Sequence, residues 1–330
     1  MDIAWAIGQF VIGFIFLVGS AEFLIRGSSR LALRLGIQPI VIGLTVVAFG
    51  TSAPELVVSV TANLTNSSGS DLAIGNIVGS NIANLGLILG LCGGAYALSV
   101  NRHIVTVEYP ILIGVTAIFG VMLLGGELGQ VEGLLLFIGL LAFITWNVIT
   151  ARRQYEMAHA AEQAIEATAA VDERIMRPSE QPLFDVFLVV MGLGGLVFGA
   201  DWLVNGARTI ALALGVSEVV IGLTLVAVGT SLPEVATSLM ASFRGQGDLA
   251  IGNVVGSNLF NILGVAGLTA AIRPLNTASM LWTDLAVMLG LTLLVYALVW
   301  NRPHRVERWQ GLLLLAIYAI YTAALFTRYA

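Results

Sequence analysis

Two glutamates carry the chemistry open to this chain. Glu55 lies in "GLTVVAFGTSAPELVVS", which begins at Gly43, and Glu234 lies in "GLTLVAVGTSLPEVATS", which begins at Gly222. Each falls well inside an apolar stretch long enough to cross a bilayer. An ionised carboxylate at that depth costs at least about 2.5–3.5 kcal/mol, so it marks an ion path or relay unless a basic partner accompanies it. No arginine falls at comparable depth, and the chain has no lysine. Pro54 and Pro233 directly precede the two glutamates. Proline lacks an N–H and clashes with the carbonyl four residues back, so each helix is expected to break near Gly50–Thr51 and Gly229–Thr230. The carbonyl oxygens released there need a partner that lipid does not offer. A cation is one.

Helical spacing adds to the set. Ser52 precedes Glu55 by three residues and Ser59 follows it by four, so the three share a face; Ser231, Glu234 and Ser238 repeat the pattern. Ser80 with Asn84, and Ser257 with Asn261, are i,i+4 pairs in neighbouring spans. Asn76, Asn81, Asn253 and Asn258 are expected to hold helices together through amide hydrogen bonds. Glu22 and Asp201, equivalent at an offset of 179 residues and near span ends, are expected to be structural or gating groups. All the candidate ligands are oxygen, which suits hard cations such as Ca²⁺ and Na⁺, whereas Zn²⁺ and Cu⁺ favour His and Cys. His103, His159 and His304 fall in expected loops, and Cys92 is the single cysteine. Two carboxylates neutralise one Ca²⁺, and the same oxygens can hold several Na⁺ singly. Mutually exclusive occupancy of one site is a sufficient basis for exchange.

These residues must be positioned inside a membrane. Of the 330 residues, 58% are hydrophobic and 11% charged, against about 25% charged in an ordinary soluble domain. Reading for apolar stretches of roughly 20 residues places spans near 4–25, 40–64, 72–98, 105–125, 131–150, 183–204, 219–243, 249–272, 281–300 and 309–327. Assigning alternate loops puts 12 of the 15 arginines on one side, among them Arg26, Arg30, Arg34 and Arg244. Positive-inside bias makes that side cytoplasmic and leaves both termini outside. The polar stretch 151–182 is rich in alanine and glutamate and is expected to form a short cytoplasmic helix ended by Pro178 or Pro182. With no Walker-type loop or phosphorylatable domain, nothing points to ATP-driven transport, and no resident cofactor or nucleotide is expected. No basic surface for nucleic acid is present either; the partners are ions and lipid.

The chain is written twice. Besides the two glutamate blocks, "DLAIGNIVGSNIANLG" from Asp71 recurs as "DLAIGNVVGSNLFNILG" from Asp248, an offset of 177. Each copy holds five spans, an odd number, so the second must sit inverted relative to the first. Inverted repeats with interrupted helices point to a binding site near the bilayer midplane. The expected fold is an all-α membrane protein of ten transmembrane helices in two inverted five-helix repeats. Its parts are 1–150, a linker at 151–182, and 183–330, and helices 2, 3, 7 and 8 are discontinuous.

With "GTSAPE" and "GTSLPE" each followed by "GSN", the sequence resembles the cation/Ca²⁺ exchanger superfamily, and within it the Na⁺/Ca²⁺ exchangers. The resemblance covers the whole membrane architecture and implies outward- and inward-facing states alternating around a central cluster of cation sites; the absence of lysine and the compact size point to a microbial plasma membrane. Matched position by position, it implies that the central carboxylates are Glu55 and Glu234, and that the backbone-carbonyl ligands are Ala48, Thr51, Ala227 and Thr230. The hydroxyl ligands become Ser52, Ser80, Ser231 and Ser257, and the amide position is Asn84. Some relatives have aspartate where this chain has Asn261, and asparagine there is similar to the K⁺-independent exchangers. The family's usual exchange of three Na⁺ for one Ca²⁺ would make transport electrogenic.

The nearest alternative is a H⁺/Ca²⁺ antiporter, in which the glutamates release protons as Ca²⁺ binds. That branch usually has glutamate directly after its Gly-Asn motif, whereas "GNIVGSN" and "GNVVGSN" place serine and asparagine there. An intramembrane enzyme lacks a His, Lys or second Asp beside Ser52 and Glu55. A channel would not need an inverted duplication.

Overall fold

Long apolar stretches with few breakers fold here as helices, because in lipid a helix satisfies its own backbone. The computed structural model describes residues 3–35, 39–65, 69–166, 182–214, 229–277, 282–300 and 304–329. The first half contains α1 (Ile3–Leu35), α2 (39–65), α3 (69–95), α4 (Ile104–Leu123) and α5 (Gln130–Glu166). The second contains α6 (Pro182–Ala213), α7 (Leu232–Phe243), α8 (Gly247–Ile272), α9 (Trp282–Trp300) and α10 (Arg308–Tyr329). Among the described residues, eight helices are long and apolar enough to cross a membrane, and bent α2 makes a ninth. The expected span at 219–243 lies partly outside the described residues; α7 is its described part.

Helix α5 runs on to Glu166, so the short helix expected after residue 150 is a continuation of the fifth span and not a separate element. Nothing between Thr150 and Glu166 breaks a helix: the stretch has no glycine or proline and is mostly alanine, glutamate, glutamine and arginine, all good helix formers. The expected stop at Pro178 lies outside the described residues, and Pro182 begins α6.

Two small antiparallel ribbons tie the halves together. β1 (Leu98–Ser99), after α3, pairs with β4 (Arg305–Val306), before α10, in the register Leu98↔Val306. β2 (Glu127–Leu128), between α4 and α5, pairs with β3 (Leu275–Asn276), after α8, in the register Leu128↔Leu275. β1 and β3 are equivalent at the repeat offset of 177. With five helices in each half, equivalent ribbons fall on opposite faces of the bundle.

The helices sort into a centre and a flank. α3 and α8 are the most buried, while α1 and α10 are largely open to lipid. Helices α1 and α6 pack along each other through small residues. A Cβ on Gly192, Gly199 or Gly206 would lie 2.7, 2.7 or 2.6 Å from the backbone nitrogen of Leu24, Leu17 or Phe10. Both sets recur every seven residues, which keeps one seam facing the partner helix.

The glutamate helices break as their prolines require. Ser52 (φ −86°, ψ 7°) separates Gly43–Thr51 from Ala53–Leu64, and the two parts are bent by 47°. Ser231 (φ −90°, ψ 5°) holds the equivalent place before α7. The breaks fall one or two residues later than the sequence suggested, because proline is well suited to the first turn of the following helix. In α3 and α8 the expected discontinuity takes another form. Their backbones continue through π-helical stretches, Asn84–Ile88 and Phe260–Ala266, where an extra residue is held without interrupting the helix.

Candidate ion-binding site

The breaks in α2 and α7 bring the two halves together at the centre. Glu55 and Glu234 are each 1% exposed. Ser52 Oγ, placed by the break before α2's second part, donates to Glu234 Oε1 at 2.9 Å. Ser231 Oγ, placed by the break before α7, donates to Glu55 Oε1 at 3.2 Å and lies 3.4 Å from Ser80 Oγ of α3. Serine and glutamate were expected to share a face within one helix; the structure pairs each serine with the glutamate of the other half.

Several buried oxygens of the helices that meet here have no partner among the described residues. Glu55 Oε2, Glu234 Oε2, Asn84 Oδ1, Ser257 Oγ and Asn261 Oδ1 are buried without a hydrogen-bond partner. Buried polar atoms are normally paired, so several orphaned acceptors near two carboxylates call for a ligand. The π-helical stretch that begins at Asn84 packs on α7, and the one containing Asn261 packs on α2, so each amide approaches the opposite half. Among the described residues no arginine or histidine forms an ion pair with either glutamate. No group of three or more His, Cys, Asp or Glu is placed to hold a metal among them either. The donor set is two carboxylates with hydroxyls and amides, which suits Ca²⁺ or Na⁺.

The remaining sequence candidates divide. The Ala48 carbonyl accepts the Ser52 N–H at 3.0 Å and the Thr51 hydroxyl at 3.3 Å. Thr51 Oγ1 also donates to Val47 O at 3.0 Å. Thr230 sits at the break before α7, and Ala227 lies outside the described residues. Asn76 Nδ2 donates to the Glu55 carbonyl (3.1 Å) and to Ser59 Oγ (2.9 Å), joining α3 to α2. Asn253 Nδ2 donates to Ser238 Oγ (2.9 Å) and Thr237 Oγ1 (3.1 Å), joining α8 to α7. Asn81 bonds Ile77 O within its own helix, and Asn258 Oδ1 accepts from Asn84 Nδ2 at 3.3 Å. Ser59 and Ser238, read from spacing as site-facing, are therefore acceptors for these amides.

The family model for sodium/calcium exchanger proteins matches residues 5–149 and 184–327, which takes in both glutamate blocks and nearly all of both halves. The chain belongs to the sodium/calcium exchanger family. A putative antiporter of Alkalimonas amylolytica is 36% identical over 321 residues, covering 96% of this chain and 97% of that protein. The sodium/calcium exchanger MaX1 of Methanosarcina acetivorans is 32% identical over 353 residues, covering 96% and 97%. Among solved structures, the sodium-calcium exchanger NCX_Mj soaked with zero Na⁺ and Ca²⁺ superimposes with a TM-score of 0.83 at 32% identity, covering 98% of this chain and 100% of that one.

Membership makes this chain a multi-pass Na⁺/Ca²⁺ antiporter, in line with its two inverted halves. Two buried acids of this exchanger did not stand out in the sequence. Glu108, 2% exposed at the start of α4, lies 2.6 Å from His103 Nδ1. Asp185, fully buried near the start of α6, lies 3.3 Å from Arg34 and 3.8 Å from Arg30 of α1. Each sits at a span end beside a basic residue, and that adjacency was the available signal.

Proposed function

We propose that Glu55 and Glu234 are the charged ligands of one central site, occupied in turn by Ca²⁺ or by Na⁺. Ser52, Ser80, Ser231, Ser257, Asn84 and Asn261 complete it, with the carbonyls of Ala48, Thr51, Ala227 and Thr230. The observation that carries this reading is the set of buried, unpartnered oxygens that includes both carboxylates, each of which accepts a hydrogen bond from the serine of the other half. With Asn261 neutral, two ionised glutamates balance one Ca²⁺, whereas three Na⁺ leave one positive charge. The two half-cycles then differ by one charge, and exchange is electrogenic. K⁺ would arrive with no third carboxylate to offset it, so exchange is independent of K⁺. The protein works in the plasma membrane with its arginine-rich face in the cytoplasm, and needs neither nucleotide nor resident cofactor. The deciding experiment is Ca²⁺ uptake into Na⁺-loaded vesicles with external Na⁺, K⁺ and pH varied separately. Uptake driven by a pH gradient and indifferent to Na⁺ would replace this reading with H⁺/Ca²⁺ exchange.

A further inference from the structure

A side-chain amide accepts hydrogen bonds at one end and donates them at the other, and only its oxygen end can ligate a cation. When two amides bond to each other, the one that donates keeps its oxygen and the one that accepts keeps its nitrogen. Asn84 of α3 and Asn258 of α8 form such a pair across the two halves, with Asn84 Nδ2 donating to Asn258 Oδ1 at 3.3 Å. Both side chains are buried. The atoms left over are Asn84 Oδ1 and Asn258 Nδ2, each buried without a partner among the described residues. The direction of the bond therefore gives the two asparagines different work. Asn84 offers an oxygen, and Asn258 offers an amino group that repels a cation.

The surroundings place that oxygen beside the carboxylates. Ser80, one turn ahead of Asn84 on α3, lies 3.4 Å from Ser231 Oγ, which donates to Glu55. Ser257, next to Asn258 on α8, has its own buried hydroxyl without a partner. At the repeat offset of 177, Asn81 and Asn261 stand where Asn258 and Asn84 do. There the amide is turned elsewhere. Asn81 Nδ2 donates to Ile77 O of its own helix at 2.7 Å, and neither amide atom of Asn261 has a partner among the described residues. Of the two amides that face the site, Asn84 is the one held from across the bundle.

We propose that Asn258 is a positioning residue that aims the Asn84 oxygen into the ion site, so that a side chain outside the ligand set controls how tightly Ca²⁺ is held. The proposal rests on the central site described above, with Asn84 as one of its ligands. Asn258 does not ligate the ion itself, because its one oxygen is committed to Asn84. A ligand whose far end is fixed in this way loses less freedom when the ion arrives, and partners of this kind carry a measurable share of metal affinity. The second half thereby tunes an amide of the first, as Ser231 does for Glu55.

The test is Ca²⁺ binding by the full chain in detergent, read as the rise in unfolding temperature with Ca²⁺ concentration, beside Na⁺-driven Ca²⁺ uptake in vesicles. Asn258→Leu removes the acceptor and is expected to weaken Ca²⁺ binding about tenfold, the low end of the range for groups that orient a metal ligand. Asn258→Ala gives the same reading if leucine prevents insertion. Asn258→Asp keeps the accepting oxygen and loses only the spare amino group, so it should bind Ca²⁺ no more weakly than the unaltered protein. Asn84→Ala removes the ligand itself, and adding Asn258→Leu to it should weaken binding no further, since nothing is left to position. A role in packing alone would lower the unfolding temperature without Ca²⁺ and leave Ca²⁺ binding where it was. That result, additive losses in the double variant, or an Asp variant as weak as the Leu one would each overturn the assignment. Because binding is read without transport, absence of Na⁺-driven uptake by the unaltered protein would overturn the transport reading alone, and the binding series would still decide the role of Asn258.

Discussion

Ser52 of the first half donates to Glu234 of the second across 2.9 Å, and the repeat returns the favour through Ser231 and Glu55 at 3.2 Å. Neither half alone completes a carboxylate's surroundings. The proposed site therefore depends on both breaks, and a substitution in either half acts on both.

Glu55→Gln and Glu234→Gln are each expected to nearly abolish Na⁺-dependent Ca²⁺ uptake at normal expression. Each removes one of two charges that must balance a divalent ion, while the amide keeps the shape. Ser52→Ala and Ser231→Ala should be milder, weakening apparent Ca²⁺ affinity by roughly tenfold, the scale of one hydrogen bond to a charged group. Isotope uptake against Ca²⁺ concentration separates the cases. Near-normal uptake by both Gln variants would show that the central charges lie elsewhere.

Membrane voltage should bias the direction of exchange by about 2.3 kcal/mol per 100 mV for each net charge moved. Clamping vesicle potential with an ionophore, with and without K⁺ on the far side, measures this. Flux indifferent to voltage would point to two Na⁺ or two H⁺ per Ca²⁺. An absolute K⁺ requirement would show that Asn261 does not mark K⁺ independence.

Asn253→Leu should loosen α8 from α7 and lower thermal stability by about 0.6–2 kcal/mol, the range for interhelical hydrogen bonds in membranes. It removes the donor to Thr237 and Ser238 while leaving both carboxylates in place. Thermal unfolding in detergent, followed with and without Ca²⁺, reads the result. Unchanged stability accompanied by lost Ca²⁺ protection would move Asn253 from the scaffold to the site.

Gly199→Val should impair insertion or stability far more than Gly8→Val, although both glycines sit in exposed-flank helices. A Cβ at Gly199 meets the Leu17 backbone, whereas one at Gly8 meets nothing within 4 Å. Expression and monodispersity after extraction measure the difference. Equal tolerance at the two sites would show that α1 and α6 do not depend on close backbone approach.

Much of this architecture was legible because lipid removes alternatives. Ten apolar stretches, an odd number per repeat and a proline before each deep glutamate lead to inverted halves with broken helices at the centre. The carboxylates stood out by their depth and repetition, whereas the carbonyl ligands and the full ligand set came from the resemblance to the exchanger family. What the sequence could not reveal was partnership across the halves. Helical spacing relates Ser52 to Glu55 but carries no information about Glu234, 179 residues further on. The roles of Asn76 and Asn253 against Ser59 and Ser238 depend on which face each helix turns inward. Spacing alone gave these serines to the site. The ion pair of Glu22 with Arg244 joins residues 222 positions apart, and the first half has no arginine at the place equivalent to Arg244, so the duplication offered no hint of it.

The π-helical stretches in α3 and α8 divide each helix into two segments with different angular phase. Ahead of residue 84, α3 turns Ser80 toward Ser231 and Glu55. Beyond it, Gly86 and Gly90 lie flat against Tyr318 and Leu315 of α10. A straight α-helix turns about 100° per residue. Removing a single residue between 84 and 88 would leave composition, hydropathy and both signature motifs intact, yet swing one segment by that angle relative to the other. The chain would still read as the same protein to any comparison of motifs, with its carboxylate-side and helix-facing surfaces out of step.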